Sequence, residues 1–163
     1  MNRRFSQFST LLTAVALPTI AVASGAADHM HKTQSGGHAA ALGQPAASKD
    51  AKRTVNVDMG DMMRFTPEKI EIRKGETVRF IVQNSGMLKH EMVLGTMAEL
   101  KAHGAMMAKI PNMEHADPNA ISVDPGKTGE FAWKFTKTGT FDFACLLPGH
   151  FESGMKGKII VKP

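Results

Sequence analysis

The chain has 163 residues, 42% of them apolar and 21% charged, with a formal net charge of +5 at pH 7. The positive charge forms no basic stripe interleaved with aromatics, which argues against a nucleic-acid partner. A single cysteine excludes an internal disulfide, and the length suits one domain plus a smaller additional piece.

That piece lies at the front. Arg3 and Arg4 precede the apolar run Leu11–Ala23, and small residues follow in ASGAAD. Charge, apolar run and small residues in this order read as a secretory signal peptide over residues 1–26, with cleavage between 23 and 27. The run is short for a membrane span and carries Pro18, so no span is expected after cleavage. Export would place the protein, in a Gram-negative cell, in the periplasm. Cleavage removes Arg3 and Arg4 and no acidic residue, leaving a mildly basic chain. An exported protein with one unpaired thiol needs a use for it, and metal ligation is one.

Residues 27–52 are small, polar and histidine-bearing, and lack apolar periodicity, so a flexible tail is expected. If cleavage follows Ala26, the new terminus reads Ala27-Asp28-His29. A free amine, two amides and an imidazole in third position form a square-planar nitrogen set for Cu(II), with His31 close by. The competing reading is a solvated tail that binds nothing.

From Arg53 to Pro163 the pattern changes to strands. Val55 and Val57 alternate, as do Ile70 and Ile72, then Val78, Phe80 and Val82. HEMVLG follows the NSGMLK turn with Met92 and Leu94 on one face. Phe131, Trp133 and Phe135 alternate, then Phe141, Phe143 and Cys145, and KGKIIVKP closes the chain. Alternation with a period of two, bounded by Gly, Pro, Asn and Asp, marks half-buried strands. The stretch 97–109 is a helical insertion. Seven or eight short strands with one such insertion predict an all-β sandwich.

The chemistry concentrates in ACLLPGHFESGMKG, residues 144–157. Cys145 ends a strand pattern, and His150 and Met155 lie on the loop that follows. A second imidazole is needed from elsewhere, and His90 opens a strand at an end of the sandwich. Two histidines, a thiolate and a weak axial methionine form the ligand set of a blue-copper electron-transfer site. The bland readings are an inert buried thiol or a nucleophile activated by His150; the surrounding Pro-Gly-His and the downstream methionine favour metal.

DFACLLPGHFESGMKGKIIVKP, with NSGMLKHEMVLG upstream, resembles the cupredoxins, and azurin most closely in these two segments. The resemblance implies a Greek-key sandwich and maps His90, Cys145, His150 and Met155 onto the four ligands of one type 1 copper. It also implies one-electron transfer through the His150 edge. Met87, Leu88, Leu147, Pro148 and Phe151 would then form an apolar docking collar for a c-type cytochrome or oxidase, with the protein a monomer. Glu91 stands where many cupredoxins carry asparagine, and an ionised carboxylate accepts hydrogen bonds without donating any. The Met-rich additions, around Met59, Met62 and Met63 and in the insertion with Met97, Met106, Met107 and Met113, resemble those of periplasmic copper-tolerance cupredoxins.

Two roles stay open at this point, a mobile electron carrier and a tolerance protein that buffers copper. For the second, additional weak sites would draw on Met106, Met107, Met113 and His115 as well as His29 and His31; core filling and helix formation are the ordinary uses of such methionines. A multicopper enzyme is disfavoured, since one such domain with one such motif lacks further centres, although cuprous oxidase-like activity is left open.

Overall fold

Alternating burial builds the strands. In the computed structural model, which describes residues 39, 41–109 and 117–163, Val55, Val57 and Met59 turn inward from β2 (Arg53–Gly60). Val78, Phe80 and Val82 do so from β5 (Thr77–Asn84). Trp133 and Phe135 are buried on β8 (Thr128–Phe135). With β1 (Gly43–Ala46) and β3 (Arg64–Thr66) these strands form one sheet in the order β1-β8-β5-β2-β3.

The second sheet contains β4 (Lys69–Arg73), β6 (His90–Gly95), β7 (Ala120–Val123), β9 (Gly139–Ala144) and β10 (Lys156–Lys162). Its order is β4-β10-β9-β6-β7. The pairs β2–β5 and β4–β10 are parallel and the other neighbours antiparallel. The inner faces share one core, and Phe65 of the first sheet meets Phe143 of the second edge-to-face at 5.0 Å between centroids. Each large side chain buried there contributes about 1.5–3 kcal/mol. Gly157 is required by that packing, because a Cβ would lie 2.2 Å from the Phe143 ring.

The helix α1 (Met97–Met107) starts at a capping box, with the Thr96 hydroxyl accepting from the Glu99 N–H and the Glu99 carboxylate accepting from the Thr96 N–H. Its Leu100 packs with Val93, Ala144 and Leu146 in a smaller core on the outer face of β6 and β9. Both faces of those strands are therefore covered, which explains the near-continuous burial of HEMVLG where simple alternation was expected.

The sandwich and its helical insertion agree with the sequence reading, with two differences. There are ten strands among the described residues, because β1 and β3 carry no apolar alternation and are held by backbone pairing, while β7 offers only the single alternating pair Ile121 and Val123. The expected tail 27–52 is also too long. Leu42 is wholly buried in the core, and β1 pairs with β8 through Gly43↔Phe135 to Ala46↔Ala132. A Cβ on Gly43 would meet the Lys134 carbonyl, so the backbone approaches too closely for any side chain.

Candidate metal centre

Strand pairing brings the predicted residues together. β6 begins at His90, and its antiparallel neighbour β9 ends at Ala144, one residue before Cys145. β10 starts at Lys156 opposite Ala144, so Met155 lies at the same edge. The ladder continues past the strand ends, with the Cys145 N–H donating to the Met155 carbonyl at 3.1 Å. The Met155 N–H donates to the His150 carbonyl at 3.0 Å, closing the loop on itself.

Within that frame His90 Nδ1 lies 3.2 Å from His150 Nδ1, and Cys145 Sγ lies 3.3 Å from His150 Nδ1. The three donor atoms fall within 4.8 Å of one another, the one such cluster of three or more His, Cys, Asp or Glu among the described residues. His90, Cys145 and Met155 are fully buried, while His150 is half-buried. The site thus has a closed side and a side that reaches solvent.

Burial pushes the Cys145 thiol up to about 12, with the Glu91 and Leu147 backbone N–H groups pulling the other way and the Glu91 charge adding to the rise. His150 is held below its ordinary 6.5, first by burial and then by the charge of His90, with Asp61 opposing. Two imidazoles beside a buried thiol form a donor set that a thiophilic cation would complete. Soft sulfur with two imidazoles suits copper, so the residues fit the metal that the sequence motif implies.

Supporting contacts fix this geometry. The Glu91 carboxylate accepts the Leu146 N–H at 2.8 Å, tying the His90 strand to the Cys145 loop. A carboxylate thus serves as an acceptor at the position where many cupredoxins have asparagine. Arg64 donates from Nη1 to the Ser153 carbonyl at 3.0 Å and braces the stretch between His150 and Met155. Gly154 there has φ of +99°, and a Cβ would sit 2.6 Å from that guanidinium. Asn84 is wholly buried, donates to the Leu88 and Val123 carbonyls and accepts the Gly86 N–H.

Sequence reasoning missed Asp61. Its carboxylate lies 3.1 Å from His90 Nε2 and accepts the N–H groups of Met87 and Leu88. The carboxyl is held below its ordinary 3.8 chiefly by the Met87 N–H, then by Leu88 and His90, against some desolvation. The parallel register Met59↔Asn84, extended by two residues, carries Asp61 to Gly86. Only that long-range pairing could have pointed to it.

The residues expected in the docking collar differ in exposure. Met87, Leu88 and Pro148 are exposed, whereas Leu147 and Phe151 are half-buried and line a groove with Leu100 and Gly104 of α1. Of the residues considered for extra copper, Met106 is exposed at the end of α1 and Met107 is half-buried beside it. His29, His31, Met113 and His115 lie outside the described residues.

The sequence model of copper binding proteins of the plastocyanin/azurin family matches residues 51–162. The chain is 47% identical over 166 aligned residues to the copper-resistant cuproprotein CopI of Rubrivivax gelatinosus, covering 99% of this chain and 100% of that one. To the CopI of Pseudomonas aeruginosa it is 37% identical, covering 77% and 85%. Among solved structures, auracyanin B superposes with a TM-score of 0.63 at 22% identity, covering 75% of this chain and 97% of that one. An azurin of Methylomonas sp. strain J gives 0.57 at 18% identity, covering 69% and 100%. At those identities the two structures speak for the shared fold.

Proposed function

The chain belongs to the plastocyanin/azurin family of copper-binding proteins, and from that premise we propose that it is a periplasmic one-electron carrier with a single type 1 copper, serving copper tolerance. The observation that carries this reading is the convergence of His90, Cys145 and His150 within 4.8 Å at one end of the sandwich. Bound copper supplies a Cu(II)/Cu(I) couple.

The residues divide the remaining tasks. Cys145 would hold the metal through its thiolate, giving up the thiol proton, and buried His90 would supply the fixed imidazole. Met155, buried just before β10, would supply a weak capping thioether. His150, half-buried, is the side chain through which an electron enters or leaves. Exposed Met87, Leu88 and Pro148, with the partly covered Leu147 and Phe151, form the contact patch for a c-type cytochrome or oxidase. Such transient redox contacts are small.

Periplasmic work requires residues 1–26 to act as a cleaved signal, and no helix among the described residues is long and apolar enough to cross a membrane. The tolerance role draws on the two relatives named copper-resistant, one of them aligned over almost the full chain. The chain would act as a monomer and as a carrier without an enzymatic reaction of its own. A second reading is copper buffering, favoured by the methionine-rich sequence that remains once Met1 leaves with the signal.

The deciding experiment mixes the copper-loaded protein with a reduced c-type cytochrome and separately counts copper at saturation. One copper with rapid one-electron oxidation of the cytochrome supports the carrier. Several coppers per chain with slow exchange would contradict it and support buffering.

A further inference from the structure

Asp61 lies in the turn between β2 and β3 and reaches the far side of the His90 ring. Its Oδ1 is 3.1 Å from His90 Nε2 and 3.2 Å from the Leu88 N–H, while Oδ2 is 2.7 Å from the Met87 N–H. An ionised carboxylate only accepts, so Nε2 carries the proton of this contact and Nδ1 is the ring nitrogen left for a metal. That nitrogen is on the side facing His150 Nδ1 at 3.2 Å. His90 is wholly buried, so no bulk water competes for its N–H.

The carboxylate is itself confined. A Cβ on Gly86 would fall 2.2 Å from Asp61 Oδ1, which shows how closely the loop backbone packs on it. Its side chain keeps 37% exposure, so it stays charged without full desolvation. A fixed anion behind a ligand favours the more highly charged metal state, and an acceptor on the distal nitrogen makes the imidazole a stronger donor.

We propose that Asp61 is the positioning residue of the metal centre: it locks His90 as the Nε2–H tautomer, aims Nδ1 at the metal, and biases the copper toward Cu(II). This rests on His90 being a copper ligand. The competing role is a simple anchor for the loop after β5. Ser85 separates the two, because its hydroxyl donates to Asp58 at 2.8 Å and ties down the same loop without touching His90.

The test compares the full protein with Asp61→Asn, Asp61→Ala and Ser85→Ala, reading the visible spectrum, the reduction potential and the ¹⁵N shifts of the His90 ring in the copper-free state. Asp61→Asn keeps an oxygen acceptor but loses the charge. It should retain the thiolate–copper band while Cu(II) affinity falls about tenfold relative to Cu(I), a rise of about 59 mV. Asp61→Ala should also lose about 10- to 100-fold in copper affinity and show both ring tautomers without metal. Ser85→Ala should lower stability alone, leaving potential and tautomer as in the wild type.

A wild-type band together with an unchanged potential in Asp61→Asn overturns the inference alone. So does an unchanged ring tautomer in Asp61→Ala. A wild type with no thiolate–copper band overturns both the inference and the copper-ligand reading beneath it.

Discussion

His90 and His150 turn the same ring nitrogen toward the same small site, yet the chain holds them differently. His90 opens a central strand, is wholly buried, and has Asp61 on its distal nitrogen. His150 stands on a loop between Cys145 and Met155, half-buried and held by local turns. The first arrangement keeps a ligand still when the charge of a metal changes. The second leaves one edge of the site near solvent, where a partner can reach it. Rigidity and access are thus assigned to different segments, and the sulfur that both histidines face lies where those segments meet.

Deleting each imidazole is the strongest way to break this contrast. His90→Gly and His150→Gly should both abolish the thiolate–copper band, but added imidazole should restore it far more readily in His150→Gly. A requirement for at least about tenfold more imidazole in His90→Gly is expected, because the ligand must enter a buried space beneath Asp61. Equal rescue, measured by visible titration, would contradict the assignment of closed and open sides.

Protons test the same asymmetry over a wide range. With the copper-free Cys145 thiol at about 12, each copper bound at neutral pH displaces one proton. Apparent affinity in a chelator competition should therefore rise about tenfold per pH unit above the histidine range. His150 is held below its ordinary 6.5 in the folded protein. The unfolded chain then protonates it first, so copper-free stability should fall as the pH drops below 6.5. A thermal midpoint that rises on acidification through this window would contradict the sign.

The smallest effect concerns the link between the two regions. Glu91→Ala strands the Leu146 N–H, which the carboxylate accepts at 2.8 Å, and should cost the copper-free protein about 1–3 kcal/mol in denaturant unfolding. Glu91→Gln keeps an acceptor and should cost much less. Equal losses would mean that the charge, rather than the hydrogen bond, joins the strand to the loop.

Much of this arrangement was legible in the residues. Alternating Val55/Val57, Val78/Phe80/Val82 and Phe141/Phe143 marked strands because their cores face one way, and the spacing around Cys145 marked the loop. The short strands were not legible, since Gly43–Ala46 and Arg64–Thr66 are held by backbone pairing that leaves no apolar period. Asp61 was hidden for a related reason. Its approach to His90 follows from the register of two parallel strands, and neither strand alone reveals that register. The continuous burial of HEMVLG likewise depends on α1 covering the outer face of β6, a tertiary fact beyond the reach of strand periodicity.

Copper titration of the mature protein, followed by visible absorption and metal count beside Cys145→Ser, tests the centre most directly. An intense thiolate-to-copper band that saturates at one equivalent and vanishes in Cys145→Ser is the predicted result. A colourless wild-type protein at one bound copper, or a band that survives the loss of Cys145, would contradict it.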